Sequence, residues 1–148
     1  MKASKEKSGA LAVTTSERGK FLCKEASLEL GKQTWESWKR IGRSVGILVS
    51  ASPWYVADWL LFGERQFGER YADAVDITGL SPERLRVLAW VGERFTPDLR
   101  RPELSFEAHR ELAAIRDAKE LKRILNFAAD NKWGSKQIRA WKRGDLVV

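Results

Sequence analysis

The chain has 148 residues, with 27 Lys and Arg against 20 Asp and Glu, a net charge of +7, one Cys, one His and seven Trp. The length suits one domain or two small ones sharing a core, and 43% apolar residues with a mean hydropathy of −0.41 describe a globular chain and not a membrane bundle. A lone Cys23 excludes an internal disulfide framework and a cysteine zinc finger, a lone His109 leaves no His-rich metal site, and the basic excess points to a polyanionic partner.

Residues 1–20 are small, polar and aperiodic, carry Lys2, Lys5, Lys7, Arg18 and Lys20 against two acids, and lack the apolar core of a secretory signal. They read as a disordered basic tail. Phe21 to Leu30 alternates loosely, as one short strand or an extended arm. From residue 34 the pattern becomes helical. Thr34 is an N-cap, and Trp35, Trp38, Ile41, Val45 and Leu48 lie on one face of a helix over about 34–50. Ser52 caps a second helix with Pro53 at its first position, ending near Gly63. The apolar run 45–62 has the length of a membrane span, but Ser52-Pro53 cuts it and Asp58 falls inside it. Two amphipathic helices explain it better, and a cytoplasmic protein is expected.

A third helix is predicted over about 65–78, ending at Gly79, and Ser81-Pro82 starts a fourth that runs to about Phe95. The proline-bracketed loop Thr96 to Pro102 is the plausible boundary between a 21–95 unit and a 103–148 unit. Ser105 caps a fifth helix. Asp117 and Glu120 form an acidic capping box for a sixth, broken at Asn131 to Gly134, and Ser135 caps a seventh, closed by Gly144. The fold class is all-α.

Two stretches have the frame of a helix-turn-helix, which needs a tight turn that tolerates positive φ, then apolar residues inside the second helix. In the first, Val75, Gly79, Leu80, Leu85 and Leu88 hold those places. In the second, Ala128, Trp133, Ile138 and Trp141 match at an offset of 53, with Lys132 where Gly79 stood and Gly134 as the small turn residue. The first frame would present Ser81, Glu83, Arg84, Arg86 and Val87 to base edges, with Arg84 and Arg86 suited to guanine and Arg94 to phosphate. The second would present Gln137 to adenine, and Lys132, Lys136, Arg139, Lys142 and Arg143 to phosphates. The charge divides unevenly between them. Residues 64–101 hold seven bases and seven acids, whereas 132–143 hold five bases and no acid.

The tryptophans recur at helical spacing and read as core, Trp54 and Trp90 least clearly. His109, one turn from Phe106 and Leu112, reads as a packed or surface histidine. No phosphate loop, metal-ligand spacing or nucleophile elbow is present, so no cofactor and no enzymatic activity are expected.

The segments WESWKRIGRSVGILVSASPWYVADWLLFGERQFGERY, TGLSPERLRVLAWVGERF, LSFEAHRELAAI and GSKQIRAW resemble the LmbU-like regulators of actinomycete antibiotic gene clusters, over about Trp35 to Lys142. The LSFEAH…GSKQIR half also resembles the helix-turn-helix part of ParB-like proteins. The resemblance implies a pathway-level regulator that binds promoter DNA. Related chains occur on phages and plasmids. The function expected is a sequence-specific regulator of double-stranded DNA, acting as a homodimer. The alternative is a protein-interaction module that sequesters another regulator.

Overall fold

In the structure, a computed structural model, residues 11–12, 21–23, 26–47 and 52–148 are described. Among the described residues there are seven helices, α1 Trp35–Ile47, α2 Pro53–Phe67, α3 Tyr71–Thr78, α4 Pro82–Arg94, α5 Phe106–Leu112, α6 Ala118–Asp130 and α7 Ser135–Lys142, and a 3-10 turn at Pro97–Leu99. The chain divides into two compact units, Met1–Glu93 and Arg94–Val148. The all-α expectation holds, with one small addition. Leu11–Ala12 (β1), Phe21–Cys23 (β2) and Leu28–Leu30 (β3) form an antiparallel ribbon in the order β1-β2-β3. Its register pairs Leu11 with Cys23 and Phe21 with Leu30. Part of the tail expected to be disordered is therefore a strand, and the rest of 1–20 lies outside the described residues. The ribbon is tied to the helices where the Leu28 N–H donates to Asp58 Oδ2 at 2.8 Å.

In the first unit, α1 opens on a reciprocal cap. The Ser37 N–H donates to Thr34 Oγ1 at 3.1 Å, and the Thr34 N–H donates to Ser37 Oγ at 2.9 Å. The helix then buries Trp38, Ile41 and Val45. Leu48, assigned to this face, lies outside the described residues. Pro53 starts α2 as expected, although Ser52 takes the N-cap place by backbone dihedral alone, without a side-chain hydrogen bond.

The α1–α2 contact is built from two copies of one device. The rings of Trp38 and Trp59 stack with centroids 4.2 Å apart and planes 7° from parallel. Trp38 Nε1 donates to the Trp59 carbonyl at 2.9 Å, and Trp59 Nε1 donates to the Trp38 carbonyl at 2.7 Å. Each ring lies on the glycine that follows the other tryptophan by four residues. A Cβ at Gly42 would stand 2.1 Å from Trp59 Cζ2, and one at Gly63 would stand 2.0 Å from Trp38 Cζ2. Gly63 is thus a helix-interior residue making room for a ring, and not the terminator it resembles. The helix runs on to Phe67 and stops at Gly68, whose φ of 85° leaves the helical region. The predicted third helix accordingly starts later: residues 65–67 belong to α2, 68–70 are not helical, and the helix begins at Tyr71. Phe67 packs edge-on against Trp35 at 5.2 Å, at the end of α2.

In the second unit, Phe95, Phe106, Leu112, Ile124, Leu125 and Ile138 form the core, together with His109, which is fully buried. The imidazole faces Phe95 edge-on at 5.1 Å. Its Nδ1 lies 2.8 Å from the Ser105 carbonyl, and its Nε2 accepts the Arg101 N–H at 3.1 Å. One donor and one acceptor suit the neutral ring. Burial pushes its pKa from 6.5 down to about 4, Arg100 and Arg101 act the same way, and the Ser105 contact opposes them. Between those two values the unfolded chain holds the proton more tightly than the folded one. Stability is therefore full above the unfolded pKa and is lost as pH falls toward the folded one. From about pH 7 to about pH 5 the loss is expected to be about 2 kcal/mol. Urea unfolding midpoints across that range test this, and His109→Gln is expected to flatten the dependence.

Two local expectations change in this unit. Asp117 caps α6, its Oδ1 accepting the Lys119 N–H at 3.0 Å, but Glu120 does not close a box. Its carboxylate takes Arg123 instead, at 3.1 and 2.7 Å. At α7 the N-cap is Gly134 and not Ser135. The Gly134 N–H donates to Gln137 Oε1 at 2.9 Å.

Among the described residues no helix is long and apolar enough to cross a membrane, and no group of three or more His, Cys, Asp or Glu could hold a metal ion.

Candidate nucleic-acid interface

The two frames are built alike at the turn. In the first unit, Gly79 ends α3 in the left-handed region (φ 77°, ψ 5°), its N–H donating to the Val75 carbonyl at 2.8 Å. Thr78 Oγ1 accepts the Leu80 N–H at 3.2 Å, and Ser81 Oγ accepts the Arg84 N–H at 3.1 Å. Leu85 and Leu88 are fully buried on α4. Ala74, beside Val75, is the buried small residue of α3.

In the second unit the matching residue, Lys132, takes positive φ itself, at 53°. Gly134, the small residue expected to carry the turn, has φ −93° and caps α7. The Trp133 N–H returns to the Ala128 carbonyl at 2.9 Å, which closes the end of α6. Ile138 is fully buried, as Leu85 is at the corresponding place. A lysine in the left-handed region costs about 1 kcal/mol because of its Cβ. Lys132→Gly is expected to raise the thermal midpoint by a few degrees, and differential scanning calorimetry measures it.

The faces differ more than the turns. On α4, Glu83 and Arg86 are exposed, Arg84 and Val87 are half-buried, and Ser81 is exposed but holds its cap. The Arg86 guanidinium lies 6.0 Å over the Tyr71 ring. The outward stripe carries two acids, Glu83 and Glu93, beside Arg86. Arg94, assigned to phosphate, is turned the other way. Its guanidinium donates to the carbonyls of Ala113 (3.1 Å), Ile115 and Arg116 (3.4 Å). It satisfies the open carbonyls after α5, so it is not available to a phosphate.

On α7, Lys136, Gln137, Arg139 and Lys142 are all exposed, as is Arg143 at its C-cap, and no acid lies on the helix. The preceding Lys132 is exposed as well. An organising residue comes from α5. Glu111 holds Arg139 Nη1 at 3.2 Å and Lys142 Nζ at 3.4 Å, and its carbonyl accepts Lys142 Nζ at 2.8 Å. Arg143 pairs with Asp145 at 3.0 Å. These are surface pairs, each worth under about 1 kcal/mol, so they position the bases without preventing them from meeting a stronger anion. Glu111 lies 28 and 31 residues from its partners, so local spacing could not reveal it. The arrangement offers a polyanion an α-helix with cations on its open face.

The chain is similar to the transcriptional regulator NovE of Streptomyces niveus, 38% identical over 111 residues that cover 75% of this chain and 51% of that protein. It spans about half the length of that relative. No family model matches the chain. No solved structure matches it.

Proposed function

We propose that this protein is a transcriptional regulator that grips double-stranded DNA with the α7 face of its second unit. The observation that carries the reading is the exposed set Lys136, Arg139 and Lys142 on one short helix that carries no acid of its own, with Arg143 at its C-cap, behind a helix-turn-helix turn. The similarity to a transcriptional regulator supports it, as does the resemblance to LmbU-like and ParB-like proteins.

In this reading α7 lies in the major groove, with Lys132, Lys136, Arg139, Lys142 and Arg143 against phosphates. Gln137, at its N-terminal end, reads a base once its Oε1 releases the Gly134 N–H. The base-reading role expected of Arg84 and Arg86 is weakened, because Glu83 and Glu93 on the same α4 surface would face the phosphates with like charge.

Titration of labelled duplex DNA across a salt series tests the reading. The expected result is a steep linear fall of log affinity with log salt, and a preference among promoter fragments that outlasts it. A flat salt response would overturn it.

A further inference from the structure

Glu111 lies at the C-terminal end of α5, and its carboxylate reaches two of the α7 cations. Oε2 holds Arg139 Nη1 at 3.2 Å, and Oε1 holds Lys142 Nζ at 3.4 Å. The Glu111 side chain is 23% exposed, against 50% for Arg139 and 37% for Lys142. The two cations therefore stand toward solvent, with the carboxylate behind them. The backbone carbonyl of Glu111 also accepts Lys142 Nζ, at 2.8 Å. Lys142 is thus placed by a group without net charge, and the carboxylate is not needed to hold it there.

We propose that Glu111 is an internal stand-in for a phosphate, which sets the strength of the α7 grip by competing with the ligand for Arg139 and Lys142. The inference rests on the reading of α7 as a phosphate-binding face. A carboxylate shared between a guanidinium and an ammonium occupies donors that a phosphate would use. A duplex reaches those donors by displacing Glu111, or by lying beside it with like charge against like. A cation already paired within the chain also holds no counterion to release, and counterion release drives the association.

The face is therefore divided. Lys132 and Lys136, at its start, have no acidic partner among the described residues, whereas Arg139 and Lys142 are answered in advance. The competition weakens binding to all sequences alike, because phosphate contacts carry no base information.

Glu111→Gln separates charge from placement. The amide keeps the size of the side chain and an oxygen for Arg139, and the backbone carbonyl still holds Lys142. Glu107→Gln is the control. Glu107 lies one turn earlier on α5 and pairs with Arg110 at 3.5 Å, so its loss changes the net charge equally at a pair within α5. By fluorescence anisotropy at about 0.15 M salt, E111Q is expected to bind duplex DNA about three- to tenfold more tightly than the parent, with a salt slope steeper by up to about 0.9. The gain is expected on matched and scrambled duplexes alike. E107Q is expected to stay within about twofold of the parent.

A heparin column separates this inference from the duplex reading, since heparin is a dense polyanion without bases. E111Q is expected to elute at higher salt than the parent and E107Q. A flat salt response of the parent on DNA overturns the duplex reading, while later elution of E111Q alone still supports the internal anion. Far-UV circular dichroism checks that both variants keep their helices. Elution and affinity of E111Q equal to the parent's, weaker binding by E111Q, or an equal gain in E107Q would each overturn the proposal.

Discussion

Trp59→Ala is expected to cost about 5 kcal/mol, enough to unfold the first unit in a domain of ordinary stability. Three effects add. Removing a fully buried indole leaves a cavity worth about 3–5 kcal/mol at sites that collapse poorly. The stack on Trp38, at 4.2 Å, disappears with it and contributes about 1 kcal/mol more. The Trp38 carbonyl is also deprived of the indole N–H that satisfied it, at 2.7 Å. Gly63→Ala attacks the same interface from the opposite side. The added methyl would stand 2.0 Å from Trp38 Cζ2, in a ring held at both its face and its nitrogen, so the two helices must separate. Trp59→Phe keeps most of the ring and drops only the N–H, with an expected cost of about 1–3 kcal/mol. Urea denaturation followed by circular dichroism measures all three. A cost for Trp59→Ala no greater than that for Trp59→Phe would show that the stacked pair is not the centre of this interface.

The second large effect concerns the proposed duplex grip. Replacing Lys136, Arg139, Lys142 and Arg143 together by Ala removes four cations from the open face of α7 and its end. Each cation taken away from a phosphate is expected to lower the slope of log affinity against log salt by about 0.9, so the slope should fall by between about three and four. At physiological salt that weakens binding by roughly two to three orders of magnitude, for all sequences alike. Gln137→Ala is expected to act differently. It changes the preference among sequences by about 1–3 kcal/mol and leaves the salt slope in place. Fluorescence anisotropy on matched and scrambled duplexes separates the two behaviours. Because Arg139 and Lys142 also bind Glu111, the quadruple variant is to be compared in thermal stability with the parent chain. Exposed pairs of this kind contribute little, so the midpoints are expected to lie close together.

Much of the helical layout was legible because it rests on local chemistry. The three- and four-residue spacing of Trp35, Trp38, Ile41 and Val45, the Ser-Pro starts at 52–53 and 81–82, and the caps at Ser105 and Asp117 act within one turn of the chain. Sequence and structure part where a residue's meaning is set by a distant neighbour. Gly63 looks like a stop in sequence, but the indole of Trp38, 25 positions earlier, occupies the space its side chain would fill. Gly134 looks like the flexible turn, but Lys132 adopts the positive φ, and Gly134 is free to cap α7.

The candidate site divides the same way. That 132–143 is a basic, acid-free segment was plain in the composition, since charge count does not depend on folding. Which bases are already paired, and with what, depended on α5 packing beside α7 so that Glu111 reaches Arg139 and Lys142. Arg94 shows the reverse case. As a residue type it suits a phosphate, but the carbonyls left open after α5 lie within its reach, and it satisfies them instead.

By itself the sequence determined an all-α chain, most of the helix starts though not that of α3, the left-handed break at residue 79 and the location of the excess charge, because periodicity, capping and charge are short-range or additive. The tertiary structure decided which of seven tryptophans are core. It joined Trp38 and Trp59 face to face and left Trp90 on the surface. Every tryptophan carries the same apolar gain on burial, and only the packing of other helices determines whether space exists for it.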